Sequence, residues 1–300
     1  MYKNYVEFLC DRDIPFCENE PLSRHSSFRI GGPCALFVTP ESADSLRDAY
    51  NEAKSEGIRT YILGKGSNIL FADEGFDGVI ISTEKLTSVT VSGNTLTADA
   101  GASFTHIAAV ARDAGLSGLE FAYGIPGSVG GAVFMNAGAY GGQVSDCLES
   151  SSCFDPENDR IIYTEGADHD FGYRSSIYKK NPERVILSAT FELKNGDKEE
   201  IRAYMEDIMG RRRDKQPLEY PSAGSVFKRP EGYFAGQLIE EQGLKGCTIG
   251  GAQVSEKHAG FIINRGGATA KDVLDLIAHI QAKVKEAHGV MLECEVVFVK

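Results

Sequence analysis

Residues 118–141 read GLEFAYGIPGSVGGAVFMNAGAYG, with glycine at 118, 124, 127, 130, 131, 138 and 141. Glycine loses more backbone entropy on folding than any other residue, so such density needs a structural reason. One reason is that main chain must pass close to something flat or charged, where bare N–H groups form an anion-binding nest. The alternative is a flexible surface loop. Phe121, Ile125, Val129, Val133, Phe134 and Met135 are interleaved with the glycines, whereas flexible linkers are built from glycine and polar residues. The stretch therefore reads as an ordered, ligand-contacting loop.

A second glycine turn stands upstream. The apolar run Tyr61-Ile62-Leu63 enters Gly64-Lys65-Gly66-Ser67-Asn68 and leaves through Ile69-Leu70-Phe71. It lacks the spacing of a Walker A loop. Ile69 occupies the place where the dinucleotide fingerprint needs its third glycine. Alone, the turn is an ordinary tight connection. Paired with residues 118–141, it suggests two glycine-lined surfaces gripping one phosphate-bearing cofactor.

Composition narrows the class. At 300 residues, two or three domains are expected from roughly 100–200 residues per domain. The hydrophobic share of 42% and charged share of 25% suit a soluble globular enzyme. A net charge of -12 argues against a nucleic-acid partner, which needs a basic face to displace counterions. The basic run Arg211-Arg212-Arg213-Asp214-Lys215 equally suits the last turn of a helix, where cations complement the macrodipole. No apolar run approaches the roughly 20 residues of a membrane span. Glu7, Asp11, Arg12 and Asp13 leave no apolar core for a signal peptide, so a cytoplasmic location is expected. The seven cysteines form no C-x-x-C pair and read as free thiols of a reducing compartment. The six histidines show no metal-ligand spacing, so no metal is expected.

Along the chain, residues 2–20 read as a short helix and connector, and 35–38 as a strand. Ser42 caps a helix to about residue 56. Strands 59–63 and 79–82 follow. Alternation around Gly93-Asn94 marks a hairpin within 88–100, and 104–113 is a helix. Residues 147–154, 160–163 and 184–191 read as antiparallel strands, and 199–213 as a helix. Pro217 and Pro221 then break the chain. The last third gives strand 224–228, helix 234–242, strands 250–254 and 260–264, helix 270–287 and strand 291–299. That β-α-β-β-α-β order suits a two-layer α+β domain.

Eight strings carry a resemblance: Arg29-Ile30-Gly31-Gly32-Pro33, Leu63 through Asn68, Gly124 through Gly131, Met135 through Gly141, Tyr173-Arg174-Ser175-Ser176, Pro221 through Lys228, Lys257-His258-Ala259-Gly260-Phe261, and Leu292-Glu293-Cys294-Glu295-Val296. In this order they closely resemble the UDP-N-acetylenolpyruvoylglucosamine reductases, from about Ser26 to the C-terminus. Tyr123, Arg229 and Cys294 stand where other residues are common in that family. The resemblance implies an α+β fold: a two-domain FAD-binding module like that of vanillyl-alcohol oxidase, followed by a substrate domain. The boundaries expected are 1–85 and 86–213 for the two FAD-binding subdomains and 214–300 for the substrate-binding domain. The short stretch between Arg174 and Pro217 resembles the subtype without an inserted tyrosine loop.

The resemblance further implies an NADPH-dependent flavoenzyme of peptidoglycan precursor synthesis. It would reduce the enolpyruvyl ether of UDP-GlcNAc to UDP-N-acetylmuramate. Hydride arriving on the vinyl carbon leaves an enolate, which needs charge stabilisation and a proton donor. By position in the motifs, Arg174 and Glu295 flank the enolate and Ser225 donates the proton. A guanidinium grips a carboxylate through two donors. A surface turn would equally explain Arg174 or Ser225, and a solvent-facing strand Glu295, in the absence of the resemblance.

For FAD, the same carry-over points to Arg29, Leu63, Gly64, Lys65, Gly66, Ser67, Asn68, Ile69, Gly124, Ile125, Pro126, Gly127, Ser128, Gly130, Gly131 and Arg211, with Asn136, Ala137 and Gly138 lining the flavin ring. For the UDP-sugar it points to Tyr173, Lys215, Lys228, Lys257 and His258, the last also a common structural hydrogen-bonder. Two other readings stand beside this one: another FAD-linked oxidase or dehydrogenase of a sugar or hydroxy acid, and a non-catalytic nucleotide-binding protein. An oxidase needs a base near the alcohol and no proton donor to carbon, so the Arg174, Ser225 and Glu295 set speaks against the first.

Overall fold

The computed structural model describes residues 2–300. They form two compact units, each assembled from separated segments. One runs to Glu18 and adds Leu36–Lys65 and Gly78–Gly210; the other joins Asn19–Ala35, Gly66–Asp77 and Arg211–Lys300.

The first unit holds a five-stranded antiparallel sheet in the spatial order Arg160–Glu165, Leu148–Asp155, Val185–Glu192, Thr95–Asp99, Val89–Ser92. The last two strands are the hairpin expected around Gly93-Asn94, with Ser92 facing Thr95. Helices Phe104–Ala114 and Val129–Met135 supply Phe104, Ile107, Val129 and Val133 to the core beside this sheet, where they join Leu96, Cys153 and Phe191. A second core gathers Leu46, Ala49 and Ala53 of helix Ala43–Ser55 with Val79 and Ile81. That helix starts at a capping box in which Ser42 and Ser45 bond reciprocally, satisfying N–H groups that have no partner inside the helix. Strand Thr60–Leu63 pairs in parallel with Phe76–Ser82, with Leu63 opposite Ser82, and delivers the chain into the first glycine turn.

In the second unit a four-stranded antiparallel sheet runs Ser222–Ser225, Phe261–Asn264, Ala252–Val254, Thr248–Ile249. Helix Ala270–His288 carries Val273, Leu276, Ile277, Ile280 and Val284 at helical spacing into one core with Leu238 and Ile239 of helix Ala235–Glu241. This is the two-layer arrangement expected of the last third.

The expected closing strand differs. Only Val297–Val299 is strand, and it leaves this sheet to pair in parallel with Ile69–Phe71. The reason lies in its hydrogen bonds. The Leu292 carbonyl accepts from Gln281 Nε2 at 2.8 Å, the Glu293 carbonyl from the Lys228 N–H at 2.9 Å, and the Glu295 N–H donates to the Val226 carbonyl at 2.7 Å. Two separate segments use these groups, with Phe227 and Cys294 forming only an isolated bridge, so no continuous ladder forms before Val297.

Candidate active site

In the first unit the two glycine stretches meet. A Cβ on Gly64 would collide with Ser128 Oγ, the side chain that caps helix Val129–Met135 by accepting from the Gly131 N–H at 3.3 Å. Much of residues 124–131 is committed within the chain. The Gly124 N–H donates to Thr105 Oγ1, Ile125 to the Ala122 carbonyl, Val129 to Ala102 and Gly130 to Ala100. The Gly127 and Ser128 N–H groups are not among these bonds. Gly130 also has a packing reason, since a Cβ there would stand 3.0 Å from that of Ala100. Not every glycine of this loop therefore answers to a ligand.

The Gly64–Asn68 turn is organised differently. Two of its carbonyls are engaged, Gly66 accepting from the Ser27 N–H and Asn68 from Val297, and the preceding Leu63 accepts from Thr83. Among the described residues, none of the N–H groups of Gly64, Lys65, Gly66, Ser67 or Asn68 donates to another part of the chain. A run of uncommitted N–H groups on a tight turn is what a pyrophosphate requires.

Arg174 stands on a two-residue turn closed by reciprocal hydrogen bonds between Gly172 and Ser175, 3.1 and 3.2 Å long. Its φ is +53°, in the left-handed region that non-glycine residues rarely adopt. The guanidinium lies over the Tyr173 ring at 5.5 Å, and Nη1 reaches the Gly138 carbonyl at 3.5 Å. The Tyr173 side chain is mostly exposed. Asn136 is the left-handed cap of helix Val129–Met135, with φ +44°. Its side chain is 3% exposed and bonded on both ends: Oδ1 accepts from the Ser145 N–H at 3.0 Å, and Nδ2 donates to the Gly172 carbonyl at 3.1 Å. Ala137 and Gly138 follow it, half-buried.

In the second unit, Ser225 ends its strand opposite Phe261. The Glu295 N–H donates to the carbonyl of Val226, the next residue along from Ser225. The Glu295 carbonyl accepts from Asn68 Nδ2 at 3.2 Å, and Ser27 Oγ donates to the Ser222 carbonyl at 2.7 Å while its N–H binds Gly66. The Ser225 and Glu295 segments are thus tied to the Gly66–Asn68 end of the glycine turn by main-chain bonds and by the Asn68 and Ser27 side chains. Glu293 does not share this setting: it is exposed and ion-paired with Lys228. The strand expected over 291–299 does not place the two glutamates, because both precede its observed part, Val297–Val299.

His258 packs edge-on against Phe261 at 5.0 Å, and its Nδ1 accepts from the Gly260 N–H at 3.1 Å. Burial pushes its pKa below the usual imidazole value. The other expected ligand contacts are more dispersed. Lys257 Nζ donates to the Arg213 carbonyl, and Lys215, Arg29 and Arg211 are exposed. The basic run places Arg212 inside instead, 7% exposed, with Nη1 on Gln216 Oε1 at 3.2 Å. Spacing along helix Lys198–Lys215 held the signal, since Ile201, Met205 and Ile208 are buried on the side that continues to Arg212. Among the described residues no group of three His, Cys, Asp or Glu could hold a metal, and no helix is long and apolar enough to cross a membrane.

The chain is similar to known proteins over nearly its whole length. Residues 216–299 match the model described as UDP-N-acetylenolpyruvoylglucosamine reductase, C-terminal domain, and residues 34–162 match the FAD binding domain. The chain is 49% identical over 295 residues to the UDP-N-acetylenolpyruvoylglucosamine reductase of Clostridium perfringens, covering 98% of this chain and 96% of that one. It is 50% identical over 291 residues to that of Clostridium novyi, covering 97% and 94%. The crystal structure of the corresponding reductase from Thermus caldophilus superposes with a TM-score of 0.81 at 34% identity, over 96% of this chain and 99% of that one.

Proposed function

The chain belongs to the UDP-N-acetylenolpyruvoylglucosamine reductase family, and from that premise we propose that it uses NADPH to reduce the enolpyruvyl ether of UDP-GlcNAc to the lactyl ether of UDP-N-acetylmuramate. It is an FAD-dependent oxidoreductase of peptidoglycan precursor synthesis.

The residues fit the flavin nucleotide. The five N–H groups of Gly64–Asn68, which donate to no other group among the described residues, are suited to its pyrophosphate. In residues 124–131 that role falls to Gly127 and Ser128, whose N–H groups are outside the internal bonds. Ala137 and Gly138 contribute main chain to the ring. Held by these residues, FAD would supply the hydride chemistry linking NADPH to the terminal vinyl carbon of the substrate.

The protein's own groups handle the charge and the proton. Arg174 offers a two-donor grip on the substrate carboxylate, into which the negative charge spreads. Ser225 gives its hydroxyl proton to the carbon bearing the ether oxygen and regains one from solvent. A serine is a weak acid, so it serves only a strongly basic carbanion. Glu295 borders the same carbon, and its charge must be balanced by Arg174 or by a proton. Tyr173, Lys215, Lys228, Lys257 and His258 serve the UDP-sugar.

The observation that supports this reading is that the Glu295 main chain bonds both Val226, next to Ser225, and the Asn68 side-chain amide at the end of the glycine turn. The test is NADPH oxidation followed with UDP-GlcNAc-enolpyruvate. The expected result is oxidation that depends on that substrate and a product heavier by two hydrogens. Substrate-independent oxidation, or flavin reduction by a sugar or hydroxy acid instead, overturns it.

A further inference from the structure

The Arg174 turn is held by groups outside it. Asn136 Nδ2 donates to the Gly172 carbonyl, the same oxygen that accepts from the Ser175 N–H and closes the turn. Lys179 Nζ donates to the Arg174 carbonyl at 3.0 Å. Ser176 Oγ, just beyond the turn, donates to the Phe134 carbonyl at 2.8 Å. Two of these three ties run to residues 134–136 of the glycine loop. A left-handed arginine costs free energy that its surroundings must offset.

Asn136 is the hub. Its Oδ1 faces an N–H and its Nδ2 faces a carbonyl, so the orientation of the amide is determined by its partners. The carboxamide is buried, and both ends are occupied within the chain. It is therefore committed to joining the glycine loop to the Arg174 turn. We infer that Asn136 is a positioning residue for Arg174, setting where the guanidinium meets the substrate carboxylate. The inference rests on the role proposed above for Arg174.

The variant that isolates the tie is Asn136→Asp. Aspartate tolerates the left-handed backbone and keeps an acceptor for the Ser145 N–H, but it puts an oxygen against the Gly172 carbonyl. Asn136→Gly is the second variant, keeping the backbone conformation while deleting all three side-chain bonds, to Ser145, Gly172 and Gln143. The readout is the two half-reactions in rapid mixing, with Arg174→Lys and the double variant alongside. Misplacing a binding group by about 1 Å costs on the order of 100-fold. Reoxidation by UDP-GlcNAc-enolpyruvate should therefore slow about 10- to 100-fold more than flavin reduction by NADPH does. In the Arg174→Lys background the Asn136 change should add less than about threefold, because groups acting through one another are not additive. Equal slowing of both half-reactions, or full additivity with Arg174→Lys, overturns the inference alone. If Arg174→Lys leaves reoxidation at full speed, the role of Arg174 falls and the inference falls with it.

Discussion

Ser225 Oγ and the His258 imidazole converge on Gly260: a Cβ there would lie 3.4 Å from Ser225 Oγ and 3.1 Å from His258 Nδ1. Because Nδ1 accepts the Gly260 N–H, its proton is on Nε2, and burial favours this neutral form. The serine hydroxyl therefore sits beside a glycine and a neutral ring, 3.5 Å from the Phe227 carbonyl.

Ser225→Ala should divide the catalytic cycle. Flavin reduction by NADPH needs no proton on carbon and should proceed near the wild-type rate. Reoxidation by the enolpyruvyl substrate should slow by roughly 10²–10⁴-fold, the scale of a lost general acid. Stopped-flow absorbance of the flavin separates the two steps. Equal slowing of both would make Ser225 a structural residue.

The two glutamates near the C-terminus should behave differently. Glu293 is exposed against Lys228, and exposed pairs contribute about 0–1 kcal/mol. Glu295 is half-buried and bonded through its main chain to Val226 and Asn68. Glu295→Gln should impair flavin reoxidation more than substrate binding, while Glu293→Gln changes little. A loss confined to KM in the Glu295 variant, or a comparable loss in the Glu293 variant, would reverse the choice.

Gly64→Ala tests the contact between the glycine stretches. The new methyl must displace Ser128 Oγ and break its cap on Gly131, an effect of about 0.5–2 kcal/mol. The variant should melt earlier and retain less FAD. Adding Ser128→Ala removes the clash, so the double variant should be less destabilised than the sum of the singles. Strict additivity in denaturant titrations would refute the contact.

His169 should make stability depend on pH. It is fully buried, stacks on Phe171, and bonds Ser151 Oγ at 2.8 Å and the Gly166 carbonyl at 3.0 Å. Burial lowers its pKa in the folded state below the unfolded value of about 6.5. Between the two values the unfolded chain binds the proton and the folded one does not. Stability should therefore fall as pH drops below about 6.5, then level off beneath the folded pKa. His169→Gln should flatten that slope in denaturation series at several pH values; an unchanged slope would assign it to other groups.

Local chemistry made much of this protein legible. Ser42 before an apolar helical stripe announces helix Ala43–Ser55, and Gly93-Asn94 between alternating residues announces its hairpin, because caps and turns depend on neighbours a few residues away. The glycine stretches suggested a phosphate-bearing cofactor, while the flavin and the roles of Arg174, Ser225 and Glu295 came only with the resemblance of the motifs to a family. Tertiary structure decided what depends on distant partners. Residues 291–296 look like strand by pattern, yet Gln281, Lys228 and Val226 take their hydrogen bonds, and only Val297–Val299 finds a ladder, against Ile69–Phe71. Asn136 looks like a ring-lining residue, yet its amide is consumed between Ser145 and Gly172. A buried polar group must be paired, and which group arrives to pair it is settled only when segments far apart in the chain come together.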